Sequence, residues 1–233
     1  MNLNGARALI TGASEGIGYA VAEALAAKQA RVALMARRRD QVEAAARQLG
    51  GLAVVGDVGL EADCIRAVET VVETFGGLDL LINNAGMGVF KPLLETSLEE
   101  FQTVFATNVV GAMLMAREAA RQFVRQNSGH LVCIASTSGL RGGKGGTAYS
   151  GSKFALRGMT ECWRDELRRH NIRVMLVNPS EVQTPFFEKL GHKQEPSPRK
   201  LRGQEIADAI VGCLEVDDRG FIPEFSVWAT NPF

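Results

Sequence analysis

Short apolar runs alternate with longer amphipathic ones along this chain. Residues 6–11 (ARALIT) are apolar and run into a glycine-rich turn. Beyond the turn Ile17, Val21, Ala24 and Leu25 recur at helical spacing, so a strand–turn–helix unit is predicted. The pattern then repeats. Residues 31–36 (RVALMA) predict a second strand, and the polar, alanine-rich stretch to about Leu49 a helix. Residues 52–58 and 78–86 predict the third and fourth strands, with a helix at 60–75 between them. Ser97 and Glu100, three apart, have the form of a capping box and start a long helix reaching about Gln126. A fifth strand is expected at 130–136, a glycine-rich loop at 139–146 and a helix at roughly 147–169. A sixth strand at 172–179, a polar proline-bearing segment, the helix GQEIADAIVGCL and a last strand near GFIPE complete the pattern.

Nearly continuous apolar strands alternating with helices predict an α/β protein whose mostly parallel seven-stranded sheet carries helices on both faces. Right-handed crossovers make this a doubly wound (Rossmann) fold. No linker-like change of composition and no internal repeat divides the 233 residues, so one domain spanning 1–233 is expected. Lysine plus arginine and aspartate plus glutamate both number 26. That balance gives no electrostatic footprint for nucleic acid or an anionic membrane surface. The opening MNLNGARALITG lacks the apolar run of a signal peptide, and no stretch approaches the roughly 20 apolar residues of a spanning helix. Cys64, Cys133, Cys162 and Cys213 form no CxxC pair, which fits reduced thiols and a cytoplasmic location. Three scattered histidines offer no metal-ligand spacing, so no metal is expected.

Two stretches carry candidate chemistry. TGASEGIG follows the first strand and opens the first helix, with glycines at 12, 16 and 18. A helix N-terminus presents unpaired N–H groups and the positive end of its dipole, and glycines let a pyrophosphate approach the backbone. The spacing is GxxxGxG rather than the commoner GxGxxG. Further on, TAYSGSKFAL places Tyr149 four residues before Lys153, on one face of a helix.

The order TGASEGIG (11–18), GDV (56–58), NNAG (83–86), TNVVG (107–111), IAS ending at Ser136, YSGSK (149–153) and VNPSEVQTP (177–185) resembles the short-chain dehydrogenases/reductases over nearly the whole chain. It is similar in particular to their NADP(H)-dependent 3-oxoacyl reductase-like members. The resemblance implies an oxidoreductase moving a hydride between NADP(H) and a carbonyl or alcohol. Asn108, Ser136, Tyr149 and Lys153 would be its catalytic residues, with Ser138 competing for the role of Ser136. It implies cofactor contacts from Gly12, Ser14, Glu15, Gly16, Ile17 and Gly18, from Asp57 and Val58 at the adenine, and from Asn84, Ala85 and Gly86. Tyr149, Lys153, Pro179, Val182 and Thr184 would meet the nicotinamide end. Asn108 would distort its helix and hold a water linking the lysine to solvent. One departure is Pro179–Ser180, where the family has Pro-Gly close to the nicotinamide.

The chemistry asks for these residue types. A ketone needs a hydride at carbon and a proton at oxygen. A free tyrosine titrates near 10, and a lysine charge about 4 Å away is worth roughly 4 kcal/mol at an effective dielectric of 20. That interaction would lower the phenol pKa by up to about 3, less what burial takes back. The second strand ends in Ala36 followed by Arg37, Arg38 and Arg39, where an NAD-specific protein usually carries an acidic residue. Guanidinium groups match phosphate, so NADP(H) is expected ahead of NAD(H), with Arg37 and Arg38 as phosphate ligands. Glu15 argues the other way, because NADP-preferring relatives often have a basic residue there.

The segment at about 183–203, with Phe186, Phe187 and Leu190, is expected to cover the substrate, while Arg141 and Lys144 stand in the loop before Tyr149. The substrate would be a small carbonyl compound or an acyl thioester. The alternative is a catalytically silent relative that senses the cofactor or acts as a scaffold. Relatives pair through the helices at 97–126 and 147–169, so a homodimer or homotetramer is expected, with FIPEFSVWATNPF at a second interface.

Overall fold

The computed structural model describes residues 1–188 and 197–231. Leu190 and the 189–196 part of the expected substrate cover lie outside the described residues, as do the last two residues of the expected second interface. The first half alternates β1 (Arg7–Thr11), α1 (Gly16–Ala27), β2 (Arg31–Ala36), α2 (Arg39–Leu49), β3 (Leu52–Val55), α3 (Glu61–Phe75) and β4 (Leu80–Asn83). Then follow α4 (Leu98–Phe105), a π-helical segment (Ala106–Gly111), α5 (Ala112–Gln126), β5 (Gly129–Ile134), α6 (Thr147–Leu167) and β6 (Ile172–Pro179). The chain continues through β7 (Val182–Gln183), α7 (Pro185–Glu188), β8 (Leu201–Arg202), α8 (Gly203–Leu214) and β9 (Glu224–Val227).

Seven strands form one parallel sheet in the order β3-β2-β1-β4-β5-β6-β9. Apolar residues of α1, α2 and α8 pack on one face, around Val21, Leu25, Val42 and Ile210. Those of α3, α5 and α6 pack on the other, around Val71, Met115, Phe123 and Leu156. This is the doubly wound arrangement expected from the sequence. Its strand order reverses between β1 and β4, and ligands of such sheets bind at the strand C-termini beside that switch.

The capping box forms as expected. The Glu100 N–H donates to Ser97 Oγ at 3.1 Å, and Glu100 Oε2 accepts from the Ser97 N–H at 3.0 Å. The long helix is not continuous, because the π-helical segment containing Asn108 separates α4 from α5. The last strand lies later than expected, at Glu224–Val227. Pro223 has no N–H for a ladder, and the pairing with β6 begins at Leu176 and Glu224. The short parallel pair β7–β8 has no counterpart in the sequence reading. Among the described residues no helix is long and apolar enough to cross a membrane.

His130 opens β5 in a buried position, and its Nε2 has no hydrogen-bond partner among the described residues. Burial, reinforced by Arg173 and the terminal ammonium, pushes its pKa down to about 4. Between that value and the ordinary 6.5, the unfolded chain binds a proton that the native protein refuses. Stability from this group is therefore complete above 6.5 and falls with acidification. Urea unfolding should show a loss of about 2 kcal/mol from pH 7 to pH 5, absent in His130→Gln. Equal losses in both proteins would contradict the assignment.

Candidate active site

The C-terminal end of β5 and the first turns of α6 bring three side chains together. Ser136 stands two residues beyond β5, is mostly buried, and accepts the Ser138 N–H at 3.1 Å. Its hydroxyl lies on the Tyr149 phenol side and favours the phenolate, so Ser136 rather than Ser138 acts on the tyrosine. Close packing of the intervening loop on α6 requires Gly139, where a Cβ would sit 3.0 Å from the Lys153 carbonyl oxygen. One turn beyond Tyr149, Lys153 is buried and donates from Nζ to the Ile134 carbonyl at 2.9 Å.

The electrostatics differ from the expectation that Lys153 depresses the tyrosine. Burial raises the Tyr149 pKa, and the Ser136 hydroxyl only partly opposes it. The ammonium points to a main-chain carbonyl, 5.7 Å from the Tyr149 ring centroid. Burial also lowers the Lys153 pKa to about 8.

Asn108 occupies the π-helical segment, and its side chain is buried. Its Oδ1 accepts the Met87 N–H at 2.8 Å. Its Nδ2 donates to the Met87 carbonyl at 2.8 Å and to Ser152 Oγ at 2.9 Å. Ser152 in turn donates to the Tyr149 carbonyl at 2.7 Å. The helix break thereby ties the chain leaving β4 to the turn of α6 that carries Tyr149. Both Asn108 Oδ1 and Lys153 Nζ face Gly86, at 3.4 and 3.6 Å from where a Cβ would lie.

The glycine-rich turn is built against this corner. Gly12 and Gly16 have φ near +64° and +63°, where glycine avoids strain. A Cβ on Gly18 would sit 2.5 Å from both the Gly12 carbonyl oxygen and Asn84 Nδ2. Asn84 donates to the carbonyls of Thr11 and Gly12 at 2.9 and 3.2 Å. Thr11 Oγ1 accepts the N–H groups of Asn84 and Ala85 at 3.0 and 2.9 Å. Ser14, Glu15 and Ile17 line the same turn and the start of α1. The chain after β6 reaches it too, since Thr184 lies 3.5 Å from a Cβ position on Gly16. Val182 is buried in β7. Ser180 replaces the usual glycine without positive φ, and its N–H continues the sheet by donating to the Val227 carbonyl at 2.9 Å.

Beyond the other end of the turn, a cleft of about 470 Å3 is walled by Arg37, Arg39, Gly56, Asp57 and Arg66. Val58 is buried against Gly111. The Asp57 N–H donates to Asp63 Oδ2, and Asp57 Oδ1 accepts the Gly59 N–H, both at 2.8 Å. Each arginine after β2 faces a carboxylate: Arg37 with Asp57 at 3.6 Å, Arg38 with Glu15 at 2.7 Å and Arg39 with Glu43 at 3.0 Å.

Residues 6–195 match the model of the short chain dehydrogenase family. The chain belongs to that family. It is 35% identical over 212 residues to the human 3-oxoacyl-[acyl-carrier-protein] reductase, covering 88% of this chain and 90% of that protein. An uncharacterized oxidoreductase of Staphylococcus epidermidis is 30% identical over 209 residues, covering 89% and 90%. Among solved structures, 3-ketoacyl-(acyl-carrier-protein) reductase from Brucella melitensis complexed with NADH superposes with a TM-score of 0.91. That structure is 28% identical, with 99% of this chain and 100% of that one covered. Alcohol dehydrogenase from the archaeon Thermococcus sibiricus complexed with 5-hydroxy-NADP gives a TM-score of 0.88 at 29% identity, covering 96% of each chain. The protein is therefore an oxidoreductase of a family that works with nicotinamide cofactors.

In this short-chain dehydrogenase several residues around the site carry no motif signal of their own. Thr11 is a buried polar residue ending an apolar strand, and that mismatch is its one signal. Met87 contributes only main-chain atoms to Asn108. Ser152 reads as a small spacer between Tyr149 and Lys153, yet it links Asn108 to α6. Phe90 and Phe186 flank the Tyr149 ring, with centroids at 5.0 and 5.7 Å. Arg141 and Lys144 are exposed.

Proposed function

We propose that this short-chain dehydrogenase reduces a ketone or 3-oxoacyl group with NADPH, Tyr149 giving the proton. The observation that carries the reading is the juxtaposition of Ser136 and the Tyr149 phenol at the sheet's C-terminal end, one helical turn from buried Lys153. The neighbouring turn fits a nicotinamide dinucleotide. Gly12 and Gly18 leave the backbone bare where any Cβ would collide, and Ser14, Glu15 and Gly16 at the start of α1 are only half-buried, which suits a pyrophosphate at that helix end.

When bound, the nicotinamide supplies the hydride that the carbonyl carbon receives. The chain's own groups handle the oxygen. A phenol whose pKa is raised stays protonated at neutral pH, which suits donation to the carbonyl oxygen. Ser136 adds a second donor to the developing alkoxide. Lys153, titrating near 8, lies close enough to working pH to return a proton to the spent phenolate. Asn108 and Ser152 position the α6 turn rather than react.

NADP(H) is favoured because Ala36 offers no carboxylate to ribose hydroxyls, while Arg37 and Arg38 stand just beyond it. Glu15 and Asp57 already hold these guanidiniums, so a 2′-phosphate competes with two carboxylates for them. Absorbance at 340 nm with NADPH and a panel of ketones, aldehydes and acetoacetyl-CoA tests the reading. Carbonyl-dependent oxidation is expected, whereas cofactor binding without any turnover would favour a sensor or scaffold.

The protein is also proposed to pair with itself. A groove of about 510 Å3 between α5 and α6 is walled by Met113, Val124, Trp163 and Leu167. Light scattering should return a multiple of the 25.1 kDa chain mass, and a single-chain mass at micromolar concentration would refute pairing. Four unpaired cysteines, three of them buried, support a cytoplasmic location, which cell fractionation tests.

A further inference from the structure

Resting on the reading of Tyr149 as proton donor, we infer that the substrate is an aryl carbonyl, carrying a flat aromatic ring beside the C=O group. The surroundings of the phenol are aromatic on two sides. Phe90, from the segment after β4, tilts at 48° to the Tyr149 ring with centroids 5.0 Å apart. Phe186, in α7, tilts at 52° with centroids 5.7 Å apart. These distances and tilts fall in the range where ring edges meet ring faces favourably.

The convergence depends on Gly88. A Cβ there would lie 2.9 Å from Phe186 Cζ, 2.9 Å from Phe90 Cε2 and 3.3 Å from Tyr149 Cδ2. Three rings from three segments thus close on one bare backbone position. A carbonyl brought to the Tyr149 hydroxyl places its adjoining group near these rings. An aromatic ring there gains edge-to-face contacts beyond the apolar burial that a saturated ring of similar size also gains. Phosphate recognition has no such support, because the nearby cations Arg141 and Lys144 are exposed in the loop before α6.

The test compares acetophenone with cyclohexyl methyl ketone, which differ mainly in ring saturation. In saturation-transfer NMR of an equimolar mixture with the wild-type protein, the aryl ketone should receive the larger transfer. With NADPH its kcat/KM should exceed that of the saturated ketone by about ten-fold, the size of one or two ring contacts. Phe186→Leu keeps bulk and removes the ring. It should cut the aryl kcat/KM by about ten-fold and change the saturated ketone's by less than about two-fold. Equal values for the two ketones, an equal fall in the variant, or faster reduction of acetoacetyl-CoA than of either would overturn the aryl preference and leave carbonyl reduction intact. Absence of turnover with every carbonyl would instead overturn the reductase reading. Equal saturation transfer to both ketones would then also remove the aryl preference.

Discussion

Tyr149→Phe should lower kcat for carbonyl reduction by about 10²–10⁴, the usual contribution of a positioned acid. The NADPH dissociation constant should stay within about two-fold. The phenylalanine ring keeps its place between Phe90 and Phe186, so the change deletes little beyond the hydroxyl beside Ser136. An oxygen needed chiefly in the transition state affects kcat more than ground-state binding. Lys153→Ala supplies the contrast. It removes a buried ammonium that faces Gly86, and it should weaken both turnover and dinucleotide binding. Matching losses of NADPH affinity in the two variants would contradict this division of labour. Stopped-flow turnover and fluorescence titration of NADPH measure the two quantities separately.

The cofactor preference should reverse in the double variant Ala36→Asp with Arg37→Ala. A charge-assisted bond from arginine to phosphate is worth about 1.5–3 kcal/mol, or roughly 10- to 150-fold. Wild type should therefore favour NADPH over NADH in kcat/KM by a factor in that range. The double variant removes one guanidinium, repels the 2′-phosphate and offers the free ribose an acceptor. Arg38 keeps part of the load, so Arg37→Ala alone should have a smaller effect. The Glu15–Arg38 ion pair adds a second handle. Glu15→Gln frees that guanidinium and should increase the NADPH preference. Equal or better use of NADH by wild type would mean the arginines serve only Glu15, Asp57 and Glu43.

The parallel sheet was readable because its strands are short, continuous apolar runs such as RVALMA and IRVMLVNP, buried on both faces. Ser97 and Glu100 announced their helix start through local chemistry alone. Where tertiary pairing decides, the reading was weaker. The strand read at 52–58 ends in the structure at Val55, before Gly56 and Asp57, where pairing with β2 stops at Ala36. The helix break at Asn108 leaves no trace in hydrophobic periodicity and was expected only from the resemblance. At the site, spacing put Tyr149 and Lys153 on one helix face, but their roles and that of Ser136 came from the resemblance and not from pattern. The network around them was not legible. Thr11, Met87 and Ser152 act through contacts between distant segments, which spacing does not encode. The pKa directions also depend on burial, which reversed the expected effect on Tyr149.

Hydride delivery to a carbonyl carbon is the central claim, and isotope transfer tests it most directly. Wild-type protein would be incubated with a carbonyl substrate and NADPH carrying deuterium at both C4 positions, and the alcohol product analysed by mass spectrometry. The account predicts one deuterium on the carbinol carbon, with formation of that product lost in Tyr149→Phe. Alcohol formed without deuterium, or labelled alcohol formed equally fast by the variant, would contradict it.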